Sequence, residues 1–112
     1  MAAEYMHIGI PVLNRKEGMT YNEAMKFWVS NVDDYDFKIE YLKFEEGTPF
    51  PEILSKQPHV AYKVDDLEHY ANQADRVIFG PLELGPGVRL AFVICRAVRG
   101  KVRRRIYACK YE

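Results

Sequence analysis

The fold is decided by the stretch Pro58-His-Val-Ala-Tyr-Lys-Val-Asp-Asp-Leu-Glu68. Its first part, from His59, is rich in residues that favour strands and predicts a β-strand. Asp65 then offers a side-chain oxygen to the first backbone donors of a helix, and Glu68 follows three residues later, as in a capping box. The stretch therefore predicts a strand followed directly by a helix over roughly 66–74.

The chain before this stretch is predicted to begin with a similar strand and helix. Residues 5–12 predict a strand that Pro11 ends, because proline cannot donate a ladder hydrogen bond. Thr20-Tyr-Asn-Glu23 has the form of a capping box. The apolar residues after it are spaced to suit one face of a helix that runs to about Asn31.

Further strands are predicted on both sides of residue 59. Residues 37–45 alternate between apolar and polar side chains, which predicts a strand with Glu40 on one face and Tyr41 on the other. Three more strands are expected at about 76–79, 88–95 and 102–109. The repeated order of strand, helix and further strands predicts an α+β fold, with helices on one side of a curved mixed sheet.

The composition bounds what the chain can be. A length of 112 residues allows one domain with an ordinary core. We find no apolar stretch long enough to span a bilayer and no secretory signal. Cys95 and Cys109 are expected to be reduced thiols, since two cysteines do not make a disulfide framework in a chain with its own core. These observations favour a cytoplasmic protein without a membrane partner.

Charge is unevenly distributed along the chain. Residues 96–112 contain seven of the sixteen basic residues and one acid, Glu112, which leaves nine basic and fifteen acidic residues before them. The basic end is interpreted as a solvated hairpin that turns at Arg99-Gly-Lys101, or alternatively as a cationic rim for an anionic substrate. Nucleic-acid binding is not expected, because the remaining chain is acidic and carries no recognised motif.

Two of the three histidines are candidates for chemistry. His69 falls in the middle of a polar helix and is interpreted as solvated. His7 and His59 each lie near the start of a predicted strand, in equivalent positions of the two halves. Taken singly, such a histidine is more often buried with a hydrogen-bond partner, but two equivalent strand residues would face each other if the halves pair about a pseudo-twofold axis.

Glu40 is the third candidate. It lies in an otherwise apolar strand, where a carboxylate removed from water needs a partner such as a cation or a lysine. Two imidazoles and one carboxylate would leave several coordination positions of a metal open to a substrate. The alternative places Glu40 on the solvent face of an edge strand, and the residues alone do not decide between the two.

Four stretches resemble the vicinal-oxygen-chelate superfamily, which includes glyoxalase I, methylmalonyl-CoA epimerase, bleomycin-resistance proteins and extradiol dioxygenases. The run His7-Ile-Gly-Ile-Pro-Val resembles its first strand, and Ile39-Glu-Tyr-Leu-Lys-Phe resembles its Ile-Glu-Leu strand. Residues 58–68 resemble the strand-to-helix signature of the second half, and Gly85-Pro-Gly-Val-Arg-Leu-Ala-Phe-Val93 is similar to a glycine-bounded strand near the end. The resemblance covers about residues 5–94.

The resemblance implies a single domain, residues 1–112, made of two β-α-β-β-β modules that form a half-open cup. Module one is expected at about 5–46 and module two at about 58–112. The first module is expected to be abbreviated, because only about nine residues separate its predicted helix from the Glu40 strand. Exposed strands need covering, so a homodimer is also expected.

The resemblance also implies a metal site. It maps His7, Glu40 and His59 onto three ligand positions for a divalent ion, which would be Zn, Ni, Mn, Fe or Co. In the last strand Tyr107 is aligned with a glutamate of the family, and we assign it a catalytic role as a hydrogen-bond donor. Lys38 or Lys63 would neutralise an anionic substrate.

The implied function is a metal-dependent enzyme acting on a small molecule with vicinal oxygens, most simply a lyase or isomerase, or else a dioxygenase. The glutamate that several members use for proton transfer is replaced by tyrosine, whose ordinary pKa near 10 makes it a poor base. The first alternative is therefore a metal-free protein that binds a small molecule, like the bleomycin-resistance proteins. A second alternative is a divergent member with a structural or dimerisation role.

Overall fold

The computed structural model describes residues 3–96 and 104–111. Within those ranges the chain forms eight β-strands, one α-helix and three short 3-10 helices, and both parallel and antiparallel strand pairs occur. The prediction of a mixed α+β fold is confirmed. The predicted turn at Arg99-Gly-Lys101 lies outside the described residues. In the same two ranges, no helix combines the length and apolar character needed to cross a membrane.

The chain divides into two compact units, which we name after the histidine that begins each of their long segments. The His7 unit is His7–Pro58. The His59 unit combines Met1–Met6 with His59–Glu112. The first strand contributes residues to both units, since the division falls between Met6 and His7.

The His7 unit is a small sheet with a few 3-10 turns. Its strands are β1 (Ala3–Pro11, shared with the other unit), β2 (Thr20–Asn22), β3 (Phe27–Val29) and β4 (Ile39–Phe44). They lie in the order β2-β3-β4-β1, with β4 parallel to β1 and antiparallel to β3. Leu42 of β4 is buried together with Phe50 and Leu54. Leu54 comes from a 3-10 helix, Glu52–Ser55.

The prediction of a helix after Thr20 is wrong, because β2 and β3 form an antiparallel hairpin there. The side chain of Asn22 accepts a hydrogen bond from the backbone N–H of Met25 at 2.9 Å and so stabilises the turn. Lys26 has a φ of 53°, a left-handed conformation that an α-helix cannot contain. The His7 unit therefore forms a hairpin where the sequence predicted a helix.

The His59 unit runs strand, helix and three strands. These elements are β5 (His59–Val64), α1 (Leu67–Gln73), β6 (Arg76–Gly85), β7 (Val88–Arg96) and β8 (Arg104–Tyr111). The four strands lie in the order β5-β8-β7-β6, and β5 and β8 are parallel. Their core is a cluster that α1 joins through Leu67. Its buried members are Val64, Leu67, Ala91, Val93 and Cys109.

Two boundaries in this unit differ from the predictions. The N-cap of α1 is Asp66 rather than Asp65, and its side chain accepts a hydrogen bond from the backbone N–H of His69 at 3.1 Å. Strand β6 continues through Gly80 to Gly85, where a connection was predicted. Three register shifts in its pairing with β7 accommodate these residues inside the strand.

Candidate metal centre

His7 and Glu40 lie on neighbouring parallel strands of the His7 unit. Glu40 of β4 is in register with Gly9 of β1, two residues after His7, so all three residues belong to one face of the sheet. Gly9 has no side chain, so no side chain at position 9 separates the Glu40 carboxylate from the His7 imidazole. The Nε2 atom of His7 lies 3.3 Å from Oε1 of Glu40.

The position and burial of this pair exclude the interpretation that Glu40 lies on the solvent face of an edge strand. Strand β4 lies between β3 and β1, so it is not an edge strand. The side chains of His7 and Glu40 are 12% and 19% exposed. The proposal that Glu40 points into solvent from an edge strand is therefore wrong, and its carboxylate has the partner that partial burial demands.

The spacing of the pair suits metal ligation as well as a direct ion pair. Two ligand atoms that each bind a metal at about 2.0–2.2 Å are separated by about 3.4 Å in tetrahedral geometry. The observed 3.3 Å between Nε2 and Oε1 is close to that value. Without an ion, a protonated imidazole can also donate a hydrogen bond to the carboxylate.

His59 is the first residue of β5, in agreement with the prediction, and is 3% exposed. Its ring meets the ring of Phe92 edge-on, with 5.0 Å between the ring centroids. In the register of β5 and β8 it pairs with Ile106, which is also buried. The imidazole is therefore held among apolar neighbours in the His59 unit.

Tyr107 does not share a face of the sheet with His59, and the catalytic role assigned to it stays a prediction. It pairs with Val60, the residue after His59, and neighbouring strand residues point to opposite faces of a sheet. Its side chain packs against the cluster of Val64, Leu67 and Cys109 on the face that α1 covers. Its ring also lies 6.0 Å from that of Tyr62, centroid to centroid.

The strand register allows the position of Glu40 in the His7 unit to be compared with the corresponding position in the His59 unit. Glu40 pairs with the residue two positions after His7. In the His59 unit the residue two positions after His59 is Ala61, and its partner on β8 is Ala108. At the position of β8 that corresponds to Glu40 in β4, the chain therefore has a methyl group rather than a carboxylate.

The other candidate residues are two exposed lysines, Lys38 and Lys63, and two cysteines. Lys38 ends a 3-10 helix, Asp36–Lys38, with a φ of 53°, and its side chain is exposed. Lys63 of β5 is exposed as well.

Cys95 and Cys109 are free thiols, as predicted, and burial raises the pKa of Cys109 to about 11. Burial raises the pKa of the Cys95 thiol as well, so both thiols are weak nucleophiles at neutral pH.

Comparisons with protein-family models, with curated proteins and with solved structures found no match for this chain. Its function is therefore inferred from its residues and their geometry.

Proposed function

We propose that this chain is a metal-dependent enzyme of the vicinal-oxygen-chelate type, in which His7, Glu40 and His59 bind one divalent ion. The observation that carries the proposal is the 3.3 Å separation of Nε2 of His7 and Oε1 of Glu40 on two parallel strands. Partial burial of both side chains supports it, because a site that excludes most water binds an ion more firmly than a solvated one.

The proposal includes the architecture of two β-α-β-β-β modules around a half-open cup. The order of elements in the His59 unit, from β5 through α1 to β8, supports it for the second module. In the first module the irregular segment 12–19, between β1 and β2, would take the place of the helix, and the module would keep its four strands.

Two imidazoles and one carboxylate leave several coordination positions free for the two neighbouring oxygens of a substrate. When bound, the ion would act as a Lewis acid and stabilise negative charge on those oxygens. Lyase and isomerase reactions of this kind also need a protein base, and Ala108 offers none at the β8 position that corresponds to Glu40. The set of two histidines and one carboxylate is typical of non-haem iron(II) oxygenases, so we favour a dioxygenase reaction and iron(II).

Metal titration of the purified protein tests the proposal. Chelator-treated protein is titrated by calorimetry with iron(II) under anaerobic conditions, and then with Zn, Ni, Mn and Co. We expect at least one ion to bind more tightly than micromolar. Glu40→Gln should weaken that binding more than tenfold, because it removes the only negative ligand. Glu46→Gln, at an exposed position of the same unit, is the matched control and should bind as the wild type does.

A metal-free protein that binds small molecules is the second candidate. The observation that favours it is again the pair of His7 and Glu40, since the two groups already satisfy each other without an ion. If no ion binds more tightly than micromolar, the enzyme proposal fails. Thermal unfolding in the presence of chelator, with and without aromatic compounds, then tests the second candidate, because only a metal-free binder keeps its ligand-induced shift.

A further inference from the structure

A second group of side chains in the His7 unit surrounds the indole of Trp28. Trp28 of β3 is in register with Tyr21 of β2 and Lys43 of β4. The rings of Trp28 and Tyr21 lie 4.9 Å apart, centroid to centroid. Since Lys43 and Glu40 alternate along β4, this group lies on the opposite face of the sheet from Glu40. It is therefore separate from the candidate metal centre.

Two cations from one irregular segment cover aromatic rings on this face. The guanidinium carbon of Arg15 lies 4.4 Å from the centroid of the Trp28 ring. The Nζ atom of Lys16 lies 4.6 Å from the centroid of the Tyr41 ring. Both residues are exposed and lie between β1 and β2, where the chain forms no regular secondary structure. Tryptophan is the strongest cation–π acceptor among the side chains.

A carboxylate fixes the edge of the same indole. The Nε1–H group of Trp28 donates a hydrogen bond to Oε1 of Glu45 at 3.1 Å, and Nζ of Lys43 lies 2.6 Å from the same oxygen. The hydrogen bond from Lys43 lowers the pKa of Glu45, so the carboxylate is ionised at neutral pH. The indole face is thus held in one orientation, with a negative charge beside it.

We propose that the face of Trp28 is a binding site for an organic cation of the guanidinium type, and that Arg15 occupies this site when no ligand is bound. Arg15 shows that a planar cation fits against the ring, whose edge is held by the Glu45 carboxylate of the Lys43–Glu45 ion pair. A cation–π contact at an exposed position is weak, so a guanidinium ligand at sufficient concentration displaces Arg15 from the ring. The irregular segment gives Arg15 room to move away.

Chemical rescue of an arginine variant tests this inference. Trp28 is the single tryptophan of the sequence, so fluorescence excited at the red edge of its absorption, where the eight tyrosines absorb little, reports on this ring. Arg15→Ala is expected to change the emission of Trp28, and methylguanidinium chloride at roughly 0.1 to 0.5 M is expected to restore the wild-type emission along a saturation curve. The half-saturating concentration should be about two- to fivefold lower for Arg15→Ala than for the wild type, as the strength of an exposed cation–π contact implies.

Two controls make the result decisive. Sodium chloride at the same ionic strength should not restore the emission. Lys16→Ala removes the neighbouring cation but keeps Arg15, so its Trp28 emission and its response should match the wild type. Circular dichroism confirms that every sample is folded. The inference is overturned if Arg15→Ala leaves the emission unchanged, or if methylguanidinium acts equally on the wild type and the variant without saturation. Neither result bears on metal binding at Glu40.

Discussion

Tyr107 and His59 lie on opposite faces of the sheet in the His59 unit. His59 pairs with Ile106 across the parallel strands β5 and β8, and Tyr107 is the next residue along β8. Because side chains alternate along a strand, Tyr107 points towards α1 and packs against the buried cluster there. Its hydroxyl group therefore does not face a ligand bound beside His59.

The first prediction follows from this arrangement. Tyr107→Phe is expected to leave the affinity for the best-bound divalent ion within about twofold of the wild type, because the hydroxyl takes no part in the site. Isothermal titration calorimetry measures it, with Glu40→Gln as the variant that should lose affinity. A loss in Tyr107→Phe as large as that in Glu40→Gln would contradict the assignment of faces.

The second prediction concerns the start of α1. Asp66→Ala should lower the free energy of unfolding by about 1 kcal/mol, since it removes the acceptor of the hydrogen bond from the His69 backbone. Asp65→Ala is the matched control and should cost less than about 0.5 kcal/mol, because Asp65 is outside the cap. Urea unfolding measures both. Equal losses in the two variants would show that the cap is misplaced.

Much of the fold was predictable because its signals are local. The strand at His59–Val64 and the end of β1 at Pro11 each depend on residues close in sequence. The hairpin of β2 and β3 was missed for the opposite reason. Trp28 pairs with Lys43, which lies far along the chain, and this pairing outweighs the capping-box pattern at Thr20.

The candidate site was predicted only in part. The residue type and strand of Glu40 indicated a partnered carboxylate, and the structure supplies His7 as its partner. The face on which Tyr107 lies could not be read from the sequence, because strand side chains alternate and a shift of one residue moves a side chain to the other face. Arg15 was missed altogether, since no sequence pattern shows that an irregular segment returns to cover Trp28.

The third prediction concerns Gly80 within β6. Its φ of +78° is rarely adopted by other residues, and a Cβ atom there would lie 2.5 Å from the backbone oxygen of Leu90. Gly80→Ala is therefore expected to destabilise the protein by roughly 2 kcal/mol or more. Gly85→Ala, where a Cβ atom meets nothing within 4 Å, should change stability by less than about 1 kcal/mol. Urea unfolding compares the two, and a tolerated Gly80→Ala would refute the prediction.

The fourth prediction concerns the thiols. Burial raises the pKa of Cys109 to about 11, so roughly one molecule in a thousand carries the thiolate at pH 8. Alkylation of Cys109 by iodoacetamide should therefore be very slow at pH 8. As the pH is raised towards 11, its rate should increase about tenfold with each pH unit while the protein stays folded. Cys95, which is only half-buried, should react first. Mass spectrometry of Cys95→Ser and Cys109→Ser separates the two rates, and fast labelling of Cys109 would be the contrary result.

The irregular pairing of β6 has a consequence for how copies of this chain meet. β6 is the last strand of its sheet, and its register with β7 shifts at three places. Pro81 within it has no N–H group to donate. Another chain can add a strand only where the sheet edge presents an unbroken row of backbone hydrogen-bond donors and acceptors, and Pro81 interrupts that row in β6. We therefore expect β6 to be a poor template for strand addition by another copy of this chain.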